Sequence, residues 1–257
     1  MGKCAVSSST GKGKYTGELF VAQAPRPLAD RLRPTVLTEV VGQEHLLGAD
    51  GPIGRMIAGN RLASMILWGP PGTGKTTIAR LLADVEELEF EPLSAVFSGV
   101  ADLRKIFAAA KERRAMGRGT LLFIDEIHRF NRAQQDGFLP YVEDGTVILI
   151  GATTENPFFE LNAALLSRCQ VFVLKRLDDA ALEELLHRAE VEAHTNLPLQ
   201  PEARTALIAM ADGDGRYLFN LVEELFALGG EEPLDTARLI TLVQKRAPLY
   251  DKAQEGH

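Results

Sequence analysis

The chain has 257 residues, 46% of them hydrophobic and 25% charged, with a formal net charge of −7; this is ordinary soluble globular material, long enough for one large domain or two small ones. Its longest apolar runs, "MILW" and "LLFI", fall far short of the roughly 20 residues needed to cross a bilayer, and no signal-peptide core opens the sequence. Two cysteines, Cys4 and Cys169, make neither a disulfide framework nor metal-ligand spacing, and the acidic balance excludes a surface that is a nucleic-acid footprint throughout. A cytoplasmic protein with no membrane partner is the expectation.

Residues 1–20 hold Ser, Thr, Gly and Lys without amphipathic period and read as a mobile tail. From residue 63, short β-rich apolar runs alternate with stretches of helical spacing, the pattern of a parallel sheet with crossover helices. Strands are expected at 64–68, 89–96, 120–125, 146–151 and 170–175. After Leu177 the strands stop. Four stretches, "DDAALEELLHRAEVEAH", "PEARTALIAMADG", "RYLFNLVEELFALGG" and "LDTARLITLVQKR", have acidic or Pro starts and several Gly ends, which predicts four helices. An α/β region over 21–177, a helical lid over 178–247 and the start of a further region at 248–257 follow.

The first strand runs into "GPPGTGKTT", a G-x-x-x-x-G-K-[ST] pattern placed between a strand and a helix, as the motif requires. Gly69, Gly72 and Gly74 let the backbone turn tightly, so that N–H groups near residues 72–76 face phosphate oxygens at a positive helix N-terminus. Pro70, Pro71, Thr73 and Thr77 complete this ATP-binding loop. Lys75 is expected to neutralise the β- and γ-phosphates and Thr76 to offer its hydroxyl to Mg²⁺. The third strand ends in Asp125 and Glu126. At the C-terminal edge of a parallel sheet, Asp125 can hold Mg²⁺ and Glu126 can take a proton from an attacking water; alone, such a pair also suits a solvated strand end. "GATTENP" ends the fourth strand with Thr153 and Thr154 toward the γ-phosphate, Thr154 orienting the water, or else forms only a turn.

With these residues in place the sequence resembles the AAA+ ATPases, and closely the replication-associated recombination protein A family, relatives of the Werner-helicase-interacting ATPase and of clamp-loader subunits. The resemblance is carried by "RPLADRLRP", "VVGQEHLL", "LSAVFSGVADLRKIF", "IDEIHRFNRAQQDGFLPYVEDG", "IGATTENPFFELNAALLSR" and "DGDGRYLFNL". It implies a P-loop NTPase sheet in the order 5-1-4-3-2 followed by a small all-helical lid, and a ring or partial ring of subunits. It also implies roles for two arginines. Arg168, in "SRC", matches an arginine finger that reaches a neighbour's γ-phosphate, a task suited to the planar guanidinium, with a local salt bridge to Glu160 or Asp178 as the plainer reading. Arg216, in "GDGR", matches a lid arginine that touches the γ-phosphate of its own subunit. Val41 and Gly42 match the segment that packs on adenine. Family members carry a further C-terminal assembly domain, so a homo-oligomer of this chain is expected to need one.

A basic cluster, Arg104, Lys105, Lys111 and "RRAMGR" (113–118), with Arg129 and Arg132 beyond it, suits phosphate neutralisation on DNA or simply a solvated helix face. The resemblance implies a DNA-stimulated ATPase at stalled or gapped forks or duplex ends, associated with the nucleoid and working with replication proteins such as single-strand-binding protein. A clamp-loader subunit, a Holliday-junction motor and a nucleotide-gated interaction module with little turnover are the alternatives.

Overall fold

The computed structural model describes residues 26–228 and 232–244; the expected tail over 1–20 and the region at 248–257 lie outside them. Five parallel strands, β1 (Met65–Trp68), β2 (Glu89–Ser94), β3 (Thr120–Asp125), β4 (Ile148–Thr153) and β5 (Gln170–Val173), form one sheet in the order β2-β3-β4-β1-β5. This is the order the resemblance implies. Helices α1 (Leu28–Arg31), α2 (Glu44–Leu47) and α3 (Pro52–Ala58) precede the sheet. Its crossovers hold α4 (Lys75–Val85), α5 (Val100–Ala115), α6 (Arg132–Asp136), α7 (Leu139–Glu143), α8 (Pro157–Glu160) and α9 (Ala163–Leu166). Four further helices follow, α10 (Asp179–Ala193), α11 (Pro201–Ala211), α12 (Gly215–Leu228) and α13 (Thr236–Gln244).

Both faces of the sheet are covered, which is why its central strands are apolar at every position rather than at every second one. Successive side chains of β3 go to opposite faces: Leu121 and Phe123 pack with Ile78 and Leu82 of α4 and Ile53 of α3, whereas Leu122 and Ile124 pack with Leu103 and Phe107 of α5 and with Phe138. All of these are buried, and each is worth about 1.5–3 kcal/mol relative to exposure.

β4 runs two residues later than its apolar run suggested. The Asp144 side chain accepts from the Thr146 N–H and Val147 N–H bonds to Tyr141, so those residues close a turn. At the other end, the parallel register with β1 continues through Thr153 opposite Trp68.

The last four helices form a separate hydrophobic core around Leu182, Leu186, Leu207, Leu218 and Val222. Caps set their starts: Asp178 accepts from Ala181 N–H, and Pro201 opens α11, where its missing donor costs nothing. One member of this core comes from the far end of the chain. Leu28 of α1 is buried in it, and the Leu28 N–H donates to Glu223 at 3.2 Å. The stretch from 26 to about 41 is therefore a strap between the helical lobe and the sheet. Gln43, fully buried, anchors its end through a reciprocal pair, Nε2 to the Lys175 carbonyl at 2.8 Å and Lys175 N–H to Oε1 at 3.1 Å.

Candidate functional site

A cavity of about 450 Å³ opens where the C-terminal ends of β1, β3 and β4 meet the strap and the N-terminus of α12. Its size lies within the range of small-molecule sites. The phosphate loop supplies Pro71, Gly72, Thr73, Gly74, Lys75, Thr76 and Thr77, and Asp125, Glu126, Thr154, Val41 and Arg216 of the expected residues join them. Gly72 and Gly74 have φ of +69° and +95°, conformations that disfavour any side chain. Gly74 caps α4, so Lys75 and Thr76 begin a helix whose first N–H groups have no partner within it.

The Lys75 ammonium folds back onto its own loop, donating to the carbonyls of Gly69 at 2.8 Å and Pro70 at 2.7 Å. Burial, the largest influence, pushes its pKa below the usual lysine value; Glu126 and Asp125 oppose the shift, Arg216 adds to it and Asp214 opposes it. A buried cation facing two carboxylates with an open cavity beside it is matched to an anionic ligand carrying its own divalent ion. The donor set thus fits a nucleotide triphosphate: Lys75 and the loop N–H groups toward phosphate oxygens, and the oxygens of Thr76 and Asp125 toward Mg²⁺.

Glu126 sits directly after β3 with φ 53° and ψ 47°, a left-handed conformation that costs about 1–3 kcal/mol for a residue with a side chain. The bend swings the chain into the short turn Ile127–Arg129 and buries Ile127 beneath it. Glu126 also faces His128, with Oε2 at 3.3 Å from Nδ1.

Several expected residues lie elsewhere. Thr153 does not line the cavity: it is fully buried, its hydroxyl accepting from Glu155 N–H at 3.0 Å, donating to the Glu155 carbonyl at 3.2 Å and lying 2.9 Å from His128 Nδ1. Because β4 extends to residue 153, strand alternation sends Thr153 inward and leaves Thr154 at the cavity wall. Gly69 and Pro70 contribute carbonyls to Lys75 rather than wall, and Gly69 N–H donates to the Thr153 carbonyl at 3.1 Å. Gly42, at φ +75°, packs against Leu177, where a Cβ would come within 2.7 Å of Cδ2. Arg168 does not line this cavity. It pairs with Glu143, not with Glu160 or Asp178, and donates to the Ala164 carbonyl at 2.7 Å.

The strap contributes wall residues to which the sequence attached no role, among them Asp30, Arg33 and Glu39. The only signal for Asp30 and Arg33 was the motif "RPLADRLRP", and Glu39 lies beyond it. The basic cluster is largely paired: Arg113 with Glu91, Arg114 with Asp144 at 3.6 Å, Lys105 with Asp102 at 3.7 Å, and Lys111 over the Tyr141 ring. Arg104, Arg118, Arg129 and Arg132 are exposed.

The pattern of the family described as "ATPase family associated with various cellular activities (AAA)" matches residues 65–177, and that of the "AAA C-terminal domain" matches 192–257. Replication-associated recombination protein A of Escherichia coli (strain K12) is 44% identical over 237 residues, 88% of this chain and 53% of that protein. ATPase WRNIP1 of Dictyostelium discoideum is 44% identical over 261 residues, 92% of this chain and 30% of that protein. The chain thus spans about half the length of the bacterial relative, and less of the other. The structure of the RuvB Holliday junction branch migration motor of Thermotoga maritima is similar at a TM-score of 0.67 with 25% identity, over 83% of this chain and 72% of that one. The chain belongs to the AAA ATPases, in the branch that holds the replication-associated recombination proteins A and ATPase WRNIP1.

Proposed function

We propose that this chain binds and hydrolyses ATP and couples that cycle to DNA at stalled or gapped replication forks, in replication-linked recombination and repair. The observation that carries the first half is the convergence of Lys75, Thr76, Asp125, Glu126, Thr154 and Arg216 on one cavity. Lys75 and the loop N–H groups hold the phosphates, Thr154 orients the attacking water, Glu126 takes its proton, and Arg216 reports the γ-phosphate to the lid. Magnesium held by Thr76 and Asp125 would spread the charge of the β- and γ-phosphates. Arg168, outside its own cavity and half-exposed on an ion pair with Glu143, suits a finger offered to a neighbouring subunit, worth about 10³–10⁵ in turnover.

The second half rests on the named bacterial relatives and on the exposed arginines at 104, 118, 129 and 132. Partners on this reading are DNA, further copies of the chain and replication proteins such as single-strand-binding protein. The likeness to a branch-migration motor supports a second reading in which the substrate is a four-way junction. The deciding experiment measures ATP turnover against protein concentration without DNA and with gapped, forked and four-way-junction DNA. The proposal expects a rate that rises faster than linearly with protein and is lifted most by forks or gaps. Stimulation by junctions alone favours the motor, and DNA-indifferent turnover overturns the DNA role.

A further inference from the structure

From Glu126 at the cavity wall a chain of polar contacts runs inward through His128 to Thr153. The His128 side chain is only 8% exposed, its Nδ1 lies 3.3 Å from Glu126 Oε2 and 2.9 Å from Thr153 Oγ1, and Thr153 is fully buried. We propose that His128 is a positioning residue that ties the aim of the Glu126 carboxylate to the end of β4, and so to Thr154 at the cavity wall.

The chemistry of the three groups limits how protons can be arranged. A carboxylate oxygen only accepts hydrogen bonds, so the contact with Glu126 requires the proton on Nδ1. The Thr153 hydroxyl hydrogen points to the Glu155 carbonyl and one of its lone pairs receives the Glu155 N–H, which leaves the other lone pair free to face Nδ1. A single Nδ1–H therefore meets Thr153 Oγ1 at hydrogen-bond geometry and Glu126 Oε2 only as a close contact at 3.3 Å, and cannot serve both fully. Donated to Glu126, it holds the carboxylate back against the turn; donated to Thr153, it frees the carboxylate toward the cavity. Glu126 is also held in a strained backbone conformation at the cavity edge, which persists only because its surroundings fix it, and His128 is the neighbour in contact with its carboxylate. A small movement at the end of β4, where Thr154 meets the bound phosphate on the reading above, would change which acceptor receives the proton. The inference rests on that reading for the role of Glu126, and on geometry alone for the hydrogen-bond chain.

The test uses this chain with His128→Ala, His128→Asn, Thr153→Val and the Ala/Val double variant. Asn places an amide donor close to the Nδ1 position. His128→Ala is expected to lower kcat by about 10–100-fold, the scale of losing a group that orients a reacting one, with KM and ATP affinity within about twofold of wild type. His128→Asn is expected to recover most of the loss, and the double variant to be no slower than His128→Ala, because both cut the same chain. Unchanged kcat in His128→Ala overturns the proposal, as does a joint loss of affinity and melting temperature that Asn does not relieve. A second measurement needs no turnover: the ¹⁵N spectrum of the His128 ring in the nucleotide-free protein is expected to place the proton on Nδ1, with that signal shifted by Glu126→Gln and by Thr153→Val. A bare Nδ1 overturns the proposal by itself. Absence of any ATP turnover by the wild-type chain counts against the hydrolysis reading instead, and the ring spectrum still decides His128.

Discussion

The backbone N–H of Gly215 donates to the carbonyl of Gly72 at 3.3 Å, so the N-terminus of α12 rests on the phosphate loop itself. The contact is close enough that a Cβ on Gly72 would meet Asp214 Oδ1 at 1.8 Å and its Cα at 2.9 Å. Asp214 cannot simply swing aside, since Oδ1 accepts from Tyr217 N–H at 2.9 Å and starts the helix that carries Arg216.

Gly72→Ala should therefore separate lobe from loop as well as strain the backbone. The expected cost is about 1–3 kcal/mol of stability, seen in chemical denaturation, together with a loss of ATP affinity of at least about tenfold by calorimetry. Wild-type affinity in this variant would show that the lobe contact is dispensable for binding.

Glu126→Gln keeps the shape of the carboxylate and removes its basicity. ATP binding should persist while turnover falls by about 10²–10⁴. Loss of binding instead would move Glu126 from the chemistry to the phosphate cradle.

Arg168 offers a cleaner separation of fold from function. Its pair with Glu143 is half-exposed, and such pairs contribute about 0–1 kcal/mol, so Arg168→Ala should melt like the wild type. If the arginine acts on a neighbour's nucleotide, mixing Arg168→Ala with Lys75→Ala subunits should restore part of the lost turnover. Assembled mixtures with no recovery would argue against a role between chains.

In the helical lobe Arg204 bridges Glu183 and Glu190, and Glu190 also accepts from Leu197 N–H at 2.9 Å. Burial tends to raise the Glu190 pKa, but the hydrogen bonds from Arg204 and Leu197 outweigh it and hold the carboxyl below the usual value of 4.5. A depressed folded-state pKa means stability that is complete above about pH 4.5 and is lost as pH falls through the folded value. Arg204→Ala should cost about 1–3 kcal/mol at neutral pH and flatten that acid dependence. The check is urea unfolding at pH 7 and at several points below 4.5; parallel curves for the two proteins would remove Glu190 as the source.

Why some of this was legible in the sequence and some was not follows from the range of the interactions involved. β3 and the phosphate loop announce themselves locally: burial on both faces makes "LLFI" continuous, and the glycines of "GPPGTGKTT" are demanded by the turn they form. The end of β4 was misplaced because the apolar run stops at Ile150, whereas the strand continues as long as β1 pairs with it. Thr153 thus belongs to the strand and is buried, while Thr154, the first residue past it, lines the cavity. His128 and Gln43 carry no local mark at all. Each is a polar residue whose burial depends on a partner distant in sequence, Thr153 for one and the Lys175 backbone for the other.

The strap has a consequence for how the chain acquires its structure. Leu28 must find a core built by residues some 150 to 200 positions later, its N–H meeting Glu223 across 195 residues, while Gln43 closes a second loop onto Lys175. Contacts of such sequence separation form late, because loop closure has to precede the burial that rewards it. Refolding should then proceed with the helical lobe gaining secondary structure first and a slow final phase in which the strap docks. The nucleotide cavity, walled in part by that strap, would be the last feature of the molecule to appear.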